Sequence, residues 1–496
     1  TGGLRIDKPV YPEQPLANPK ITELTLPNKE GVGTHYAGQW PTTKIYWSPR
    51  VGFRFDVEGN KSLIIRGGTG IFTGRIPFAW LTNMPTSSGM YQSTQNVTSA
   101  AALQNYKFNA NPLHYVGTFP NVAGTFVPSA FAVIDPQFRF AQVWRNNLAF
   151  DKRFGRGWTL TGEFLHSKDL NAVIMRNANQ KAPDATFSGS DNRPRYTNTT
   201  NAGRRIYSNV ATAIVLENTD KGFSSSATAM ISKAASRGFY GSLAYTFSTA
   251  MDVSANPGST AASVWSGNFA VGTQNDQELY NSQYVLPHRI IGSLSYRFEY
   301  AKNFATTVSL IFEGASQGST SFIYSNDMNG DGNSSDLLYI PRDQNDIIFL
   351  PTTASGTTTA RTAQEQSDAF FKYIESVPYL SKHKGQYAER NGAYMPWYNR
   401  VDAKILQDIF TNIGRNRHTL QVSLDIINLS NLINNDWGIR QTVTYRNPLT
   451  FVDVDATGRP RFRMNQVGGQ LPTDYKTDIL NTNTTWGLQL GLRYIF

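Results

Sequence analysis

The sequence predicts an all-β protein, an antiparallel transmembrane β-barrel of about twelve strands with long extracellular loops. Apolar side chains alternate with small or polar ones in many short segments, as in strands whose two faces meet different surroundings. Short and long connections between these segments alternate along the chain, which is typical of barrels in membranes. No stretch approaches the roughly 18 continuous apolar residues of a membrane helix. The mean hydropathy of −0.38 agrees with a barrel, because alternation halves the apolar signal.

The composition fits a β protein rich in turns and aromatic rings. Among 496 residues the chain has 40 Gly, 24 Tyr and 29 Phe. It has no Cys, which excludes disulfide bonds and thiolate chemistry. The net charge is +10, but Lys and Arg are spread without a dense basic run, so we expect no nucleic-acid partner. Anionic lipid headgroups and an acidic ligand agree equally well with this charge.

The predicted strands are recognised by apolar residues at every second position. In WGLQLGLRYIF, residues 486–496, one face is Trp, Leu, Leu, Leu, Tyr and Phe, and the other is Gly, Gln, Gly, Arg and Ile. RVGFRFDV, residues 50–57, has the same alternation. Equivalent patterns occur at residues 62–72, 146–154, 158–164, 239–248, 290–300, 304–312 and 418–426.

The connections give the predicted strands a direction. The short ones are residues 58–61, 155–157, 234–238, 301–303 and 411–417, and each joins two strands as a hairpin. The long ones are residues 8–46, 73–138, 168–222, 252–285, 316–399 and 431–484, with no helical period among them. If the short turns are periplasmic, the last strand runs inward and its C-terminus lies at the periplasmic rim.

An ordinary antiparallel sheet with one solvated face alternates in the same way. Three observations favour the membrane, the first being that the strands fall in hairpin pairs along the whole chain with no helical period between them. Aromatic rings cluster near the strand ends, and Trp486 to Phe496 spans roughly 33 Å at 3.3 Å per residue. Tilted by about 40°, such a strand covers the roughly 25 Å height of a lipid-facing band.

Four blocks of sequence resemble TonB-dependent outer-membrane receptors. HTLQVSLDIINLSNLIN resembles the region around their penultimate strand, and LPHRIIGSLSYRF is similar to a Leu-Pro-x-Arg strand start. YLSKHKGQYAERNGAYMPWYNRVDAKI resembles their Arg-Asn, Pro-Trp and Asp block. YWSPRVGFRFDV followed by IRGGTGIFTGRIPFAWLTN resembles the Oar-like subgroup of Bacteroidota and related Gram-negative bacteria. The matching residues are Asp425, Asn428, Leu429 and Asn431, then Leu286, Pro287 and Arg289, then Arg390, Asn391, Pro396, Trp397 and Asp402.

The resemblance implies a 22-stranded barrel that is filled by an N-terminal plug and energised by TonB. Residues 1–496 would then be the C-terminal portion of the barrel, with the plug and N-terminal domains outside this chain. Since TGGLRID reads as a strand already under way, we expect a piece of a longer polypeptide. An open sheet edge in lipid is costly, so we expect both outer strands to pair with the missing strands. Outer-membrane lipid, the plug, TonB and a surface lipoprotein or protein are the expected partners.

The C-terminal aromatic strand, with Trp486, Tyr494 and Phe496, looks like the signal that the outer-membrane assembly machinery recognises in this family. The same rings also complete the aromatic girdle of the barrel. The two roles are compatible. The charged residues on the other face of the strands are predicted to line the lumen or to contact a plug: Arg54, Arg66, Arg153, Glu163, Arg297, Glu299 and Arg493.

One segment, NDMNGDGNSSD, has the pattern of a calcium loop. Asp327, Asn329 and Asp331 alternate and Gly332 follows, as in the first half of an EF-hand loop. Residue 338, where a bidentate Glu is usual, is Leu, and Asp336 is positioned to replace that carboxylate. An ordinary extracellular turn without an ion fits the same residues. No other cofactor is expected.

The sequence contains no convincing catalytic motif, so we expect no enzyme. GASQG, residues 314–318, fits Gly-x-Ser-x-Gly, but a loop follows where that motif needs a helix. The six His are scattered, without zinc-ligand spacing. The expected function is TonB-energised uptake of a bulky ligand. The alternative is a structural or adhesive surface barrel whose loops bind proteins without transport.

Overall fold

The computed structural model describes residues 1–28, 31–92, 97–118, 122–413 and 415–496, and it describes only the backbone of residues 31–34. Twelve strands follow one another in chain order across a single sheet, and every neighbouring pair is antiparallel. They are β1 (Gly2–Asp7), β2 (Tyr46–Asp56), β3 (Leu63–Thr73), β4 (Gln142–Phe154), β5 (Trp158–Asp169), β6 (Phe223–Ser236), β7 (Phe239–Asp252), β8 (His288–Tyr300), β9 (Phe304–Ser316), β10 (Trp397–Ile413), β11 (Asn416–Ile427) and β12 (Gly487–Ile495). The predicted number of strands is confirmed.

Short and long connections alternate along this sheet, as the sequence predicts. The pairs β2–β3, β4–β5, β6–β7, β8–β9 and β10–β11 are joined by tight turns, and the other pairs by long segments. The predicted turn at 411–417 includes Gly414, which lies outside the described residues. All tight turns therefore lie at one end of the sheet, the short-turn end, and all long segments at the other, the long-loop end.

The two faces of the sheet have opposite chemistry. On β4, Leu148 and Phe150 are 55 % and 41 % exposed on one face, while Ala149 and Asp151 alternate with them on the other. The apolar face continues across all twelve strands, up to Leu490 and Leu492 on β12. Large exposed apolar side chains on every strand except the glycine-rich β3 fit a surface that is covered by lipid rather than by water.

Glycines on the apolar face leave room for rings on the neighbouring strand. Gly162 on β5 pairs directly with Phe150 on β4, and a Cβ at Gly162 would lie 2.4 Å from that ring. Gly67 on β3 has the same relation to Phe53 on β2, at 2.8 Å. Rings that cover glycines in this way fix the register of paired strands.

The sheet is open within the described residues. β1 pairs only with β2, and β12 pairs only with β11, so these two strands form its edges. Leu4 and Ile6 on β1 and Leu488 on β12 remain exposed beside the edges.

The long segments fold into a body with its own secondary structure, which we call the loop body. The sequence predicts no helices in these segments, and this prediction is wrong. The helices are Pro19–Thr22, Phe78–Ser87, Ala100–Leu103, Asn201–Arg204, Ala261–Ser266, Ala363–Ser376, Pro378–Lys382 and Leu429–Ile433, and the 3-10 turns outside the sheet are Val116–Thr118 and Gln344–Asp346. The strands are Thr25–Asn28, Gly31–Thr34, Ala130–Ile134, Ala172–Asn177, Ala185–Thr186, Pro194–Arg195, Thr212–Thr219, Ser319–Thr320, Tyr339–Ile340, Ile348–Phe349, Gln386–Tyr387, Ala393–Tyr394, Arg440–Val443, Leu449–Val454, Pro460–Met464 and Lys476–Ile479. A further short strand, Tyr280–Asn281, pairs with the end of β7 and so extends the main sheet.

The longest helix, Ala363–Ser376, shows why the sequence folds in this way locally. Thr362 and Glu365 form a capping box at its start. Phe370, Tyr373 and Ile374 then lie on one face, at helical spacing, and are fully buried. The helix therefore forms because tertiary packing covers a narrow apolar stripe inside an otherwise polar segment.

Three apolar clusters hold the loop body together. The largest brings Phe187, Phe322, Phe370 and Phe462, from three separate long segments, into one core. The other two lie on the two sides of a small sheet formed by Ala130–Ile134, Ala172–Asn177 and Thr212–Thr219. Within the described ranges, no helix is both long and apolar enough to cross a membrane.

The assignment of the two faces predicts that substitutions at two adjacent residues change the free energy of unfolding by different amounts. Leu148→Arg places a cation on the apolar face of β4 and should lower the free energy of unfolding in lipid by about 2–4 kcal/mol. Asn147→Arg places the same cation on the polar face and should change it by less than about 1 kcal/mol. Urea unfolding of the full-length protein in vesicles measures both. Equal losses from the two substitutions would show that the faces are wrongly assigned.

Candidate functional site

A charged cluster lies on the polar face near the middle of the first hairpins. Arg66 on β3 forms ion pairs with Asp151 on β4, at 3.1 Å, and with Glu163 on β5, at 3.7 Å. Thr161 also donates a hydrogen bond to Asp151. The side chains of Arg66, Asp151 and Glu163 are 34 %, 28 % and 36 % exposed, so they line open space that the chain does not fill.

A second cluster lies further along the same face. Arg297 on β8 contacts Asp408 on β10 at 2.6 Å and Glu299 at 3.5 Å. Gln421 on β11 donates a hydrogen bond to the other oxygen of Asp408. Asp408 is a site residue that sequence reasoning missed, although its position among the alternating residues of β10 identifies its face.

Three of the predicted lumen residues have no ion-pair partner within the described ranges: Arg54, Arg153 and Arg493. Arg54 on β2 lies directly opposite Arg66 in the strand pairing. Arg493 on β12 lies opposite Gln421, whose side chain belongs to the second cluster. Like charges in directly opposed positions repel each other. The charge of Arg66 is already neutralised by its two carboxylates, whereas the charge of the exposed Arg54 is not.

Residues of the receptor-like blocks meet at the long-loop end of β10, β11 and β12. The Asn428 backbone, in the left-handed region at φ 54°, donates a hydrogen bond to Asp402. The Asn428 amide group donates to the carbonyls of Gly438 and Thr484. Asn431 Oδ1 accepts a hydrogen bond from the backbone of Trp486, where β12 begins. These residues therefore fix the start of the last strand.

The predicted girdle residues lie on the apolar face of the last strand. The rings of Tyr494 and Phe496 stack with centroids 5.7 Å apart, and the Tyr494 hydroxyl lies 2.7 Å from His418 Nδ1. Trp486 lies at the opposite end of the same strand and is 45 % exposed. This arrangement has the form of two aromatic belts, and the assembly-signal role of these residues stays a prediction.

The calcium-like segment forms a tight, deeply buried loop within the loop body. Asp327 Oδ1 accepts hydrogen bonds from the amides of Gly330 and Asp331, and its Oδ2 accepts one from Gly332. The Asp331 amide also donates to Asn329 Oδ1. Asp and Asn side chains commonly accept hydrogen bonds from backbone amides within a turn, and Gly allows the turn to be tight. The alternating Asp/Asn pattern with its glycines therefore favours this loop.

Burial sets the protonation of the carboxylates in this loop. Burial, followed by the nearby Asp327 carboxylate, raises the pKa of Asp331 to about 7. Burial also raises the pKa of Asp336 well above its usual value, against the opposing effect of Arg193. Within the described ranges, no three His, Cys, Asp or Glu side chains are grouped closely enough to hold a metal ion by themselves.

A polar cleft opens where the loop body meets the ends of β5 and β6. Its volume is about 580 Å³, and its lining includes His35, Asp135, Arg139 and Lys221. Burial lowers the pKa of His35, whose Nε2 lies 3.3 Å from the Pro27 carbonyl. The cleft therefore combines a mostly neutral imidazole with charges of both signs, an arrangement suited to a polar ligand.

The Gly-x-Ser-x-Gly match does not form a nucleophile elbow. Ser316 is the last residue of β9 and pairs with Trp397 on β10. A further short strand, Ser319–Thr320, follows instead of a helix. The arrangement therefore lacks the strand–turn–helix geometry that exposes such a serine.

An antiparallel wall with one lipid-facing side, one charged side, tight turns at one end and folded loops at the other defines the class of outer-membrane β-barrel proteins. A comparison with protein families agrees, because the model of the outer membrane beta barrel domain matches residues 11–471. The chain belongs to this family and is a protein of the outer membrane. No curated protein matches it.

Several solved outer-membrane structures are similar to parts of the fold. The outer membrane transporter YddB from Escherichia coli aligns over 91 % of this chain and 41 % of its own, with a TM-score of 0.40 and 10 % identity. The FrpB iron transporter from Neisseria meningitidis aligns over 91 % and 40 %, at 0.35 and 9 %. The siderophore receptor PiuA from Acinetobacter baumannii aligns over 94 % and 37 %, at 0.33 and 8 %. The chain thus spans about two fifths of the length of these proteins.

The core of the loop body predicts a local loss of stability from one substitution. Phe370→Ala removes a fully buried ring and should cost about 3–5 kcal/mol. Amide hydrogen exchange in residues 322–395 of the full-length protein should therefore become faster by roughly two orders of magnitude or more. Lys372→Ala, on the exposed side of the same helix, is the control and should leave the exchange unchanged. Similar exchange in both variants would contradict the assigned core.

Proposed function

We propose that the chain is part of the barrel wall of a TonB-dependent, Oar-like receptor that takes up a bulky ligand across the outer membrane. The observation that carries the proposal is the charged inner face. Arg66, Asp151 and Glu163 are paired with one another and still border open space. Charged side chains on the inner face of a wide barrel indicate a polar interior, such as a conduit or a plug.

The unpartnered cations of this face favour a plug as its contents. Arg54, Arg153 and Arg493 would bind carboxylates or carbonyls of the plug, because nothing in the described chain neutralises them. Strands outside this chain would pair with β1 and β12, since an unpaired edge in hydrocarbon costs several kcal/mol for each backbone group. In this proposal the short-turn end faces the periplasm, and so does the C-terminus.

The loop body would be the surface that captures the ligand. It is assembled at the long-loop end from several segments with shared cores. The cleft with His35, Arg139 and Lys221 opens between this body and the strand ends. A polar ligand, or one with acidic groups, fits these residues.

The alternative function, a structural or adhesive surface barrel, is favoured by the same loop body. Its aromatic segments pack inward: Phe370, Tyr373 and Leu380 are fully buried. A body with a rigid core presents a fixed outer surface, which is what binding to another protein needs.

One experiment separates the two functions. A deletion strain and its complemented parent are grown on single nutrient classes: peptides, oligosaccharides and iron–siderophore complexes. Uptake predicts a growth defect on one class and a loss of uptake of that labelled nutrient when a protonophore removes the energy supply.

A second assay on the same strains measures attachment to surfaces and to other cells. Normal growth on all three classes together with impaired attachment would reject uptake and support the adhesive function. A growth defect that the protonophore does not reproduce in the parent would reject energisation by TonB.

A further inference from the structure

We infer that the segment from Asp327 to Asp336, here called the acidic loop, is a calcium site that joins three of the long segments. Asp327, Asn329, Asp331 and Asp336 would supply side-chain oxygens, drawn closer together by the ion than they lie without it, and backbone carbonyls and water would complete the shell. Calcium accepts six to eight oxygen ligands of this mixed kind. The inference concerns the loop body alone and holds for either proposed function.

An unpartnered buried oxygen is the first observation behind this inference. Asp331 is only 7 % exposed, and its Oδ2 has no hydrogen-bond partner. Asp336 is 1 % exposed, and its Oδ1 also has no hydrogen bond, although the Arg193 guanidinium lies 3.8 Å away. A buried carboxylate oxygen without a partner is expensive unless a cation or a proton lies beside it.

The local charges are the second observation. Four carboxylates, those of Asp191, Asp327, Asp331 and Asp336, meet two guanidinium groups, those of Arg193 and Arg204. Arg193 lies 2.9 Å from Asp191 and 3.8 Å from Asp336, and Arg204 lies 3.7 Å from Asp327. The acidic groups therefore exceed the basic ones by two, an excess that either protons on the buried carboxylates or one divalent cation would neutralise.

The position of the acidic loop gives such an ion a structural role. The Tyr196 amide donates a hydrogen bond to the Asn329 carbonyl, and the Asn329 amide group donates to Gly272. The Ser335 hydroxyl donates to Ser266. The loop thus holds together the segments that follow β5, β7 and β9, and a bound ion would stiffen the surface that they form.

Calcium titration of the full-length protein in detergent tests the site. After treatment with a chelator, isothermal titration with CaCl₂ should show one saturable site, and calcium should slow amide exchange in residues 322–340. Asp331→Asn should weaken binding at least tenfold. Glu389→Gln, which removes an exposed carboxylate from the same long segment, should leave binding unchanged.

Three outcomes would overturn the site. The wild-type protein shows no calcium heat at millimolar concentration. Alternatively, Asp331→Asn and Glu389→Gln weaken binding equally, which would indicate adventitious surface binding. Finally, Asp331→Asn leaves calcium without any effect and slows exchange by itself, which would show that a proton neutralises this carboxylate. The wild-type titration decides the question even if a variant fails to fold.

A separate observation concerns the short-turn end of the sheet, which carries most of the excess positive charge. Residues 57–62, 152–158, 233–238, 300–304 and 411–418 contain nine Lys or Arg and a single acidic residue, Glu58. Glu58 is itself paired with Lys152 at 2.7 Å. We propose that these cations bind the phosphate groups of anionic phospholipids in the leaflet on that side. The leaflet concerned rests on the proposed orientation of the barrel.

The turn backbone indicates that the charge itself matters. Lys61, Arg156, Arg237 and Lys302 each lie at the tip of a turn in the left-handed region, with φ of 63°, 63°, 52° and 61°. Gly and Asn adopt this conformation most readily. Four basic side chains at such positions therefore go against the local backbone preference.

The neighbouring apolar face ends in aromatic rings and cations at the short-turn end of the sheet. Phe154 and Trp158, which flank one turn, are 49 % and 37 % exposed on the apolar face. Lys152 and Lys233 belong to the same face, since Lys233 pairs with Trp158 and Lys152 with Leu160. Rings followed by cations are typical of the boundary between hydrocarbon and anionic headgroups.

A fourfold substitution to Asn tests this lipid site while keeping the turns. Asn removes the charge of Lys61, Arg156, Arg237 and Lys302 but tolerates the left-handed conformation. The full-length protein is placed in nanodiscs of phosphatidylcholine and phosphatidylglycerol at 7:3, then extracted gently, and the retained lipids are counted by mass spectrometry. The wild-type protein should be enriched in phosphatidylglycerol severalfold, and the variant should lose at least half of this enrichment. The control replaces four exposed lysines at the long-loop end by Asn: Lys8, Lys107, Lys372 and Lys382.

No enrichment in the wild-type protein, or equal losses in the variant and the control, would overturn the lipid site. Capture of an acidic protein by the wild-type turns, with no preference for phosphatidylglycerol, would also overturn it. A nanodisc exposes both leaflets to the same lipids, so this result does not depend on the orientation. Orientation is read separately from Asn60→Cys in cells, which should react with an impermeant maleimide only after the outer membrane is opened.

Discussion

The continuous ladder of backbone hydrogen bonds from β1 to β12 is the constraint on which the remaining structure depends. In hydrocarbon each unpaired amide or carbonyl costs several kcal/mol, so the strands have to pair along their whole lipid-facing length. Pairing fixes the register, and the register fixes which side chains face lipid. The glycines opposite Phe53 and Phe150 show how closely side-chain size follows that register, since a larger residue at either position would move the ring.

The same ladder explains why the sequence predicts the sheet so well. Alternation is a local signal, and residues 486–496 or 290–300 display it without any information from distant parts of the chain. The strand ends are less accurate, because β10 begins at Trp397 and β7 continues to Asp252, where polar residues interrupt the pattern. Partners such as Arg297 and Asp408 could not be predicted, since they are distant in the sequence and meet only across the strand β9, which lies between β8 and β10.

The loop body is the part that local patterns did not predict. Its helix at Ala363–Ser376 begins with a capping box formed by Thr362 and Glu365, so this helix could have been predicted from the sequence. The cores were not, because Phe187, Phe322 and Phe462 come from different long segments and have no common period. Bringing such segments together is opposed by loop-closure entropy, which their shared apolar burial has to exceed. Phe370 and Tyr373 are among the aromatic residues that this shared core buries completely.

Arginine shows how the surroundings decide the role of one residue type. Arg66 is one-third exposed between two carboxylates, and a pair of this kind contributes at most about 1 kcal/mol to stability. The main contribution of Arg66 is therefore the polar group that it presents to the interior of the barrel. Arg193 is fully buried with Asp191 and Asp336, where desolvation offsets much of the attraction. Such a pair adds little net stability, but leaving any one of its charges unmatched is costly, so it restricts the loop body to arrangements that keep all three together. Arg156 lies at a turn tip, where it is neither buried nor paired with a carboxylate within the described residues. Its charge is therefore available to groups outside the sheet.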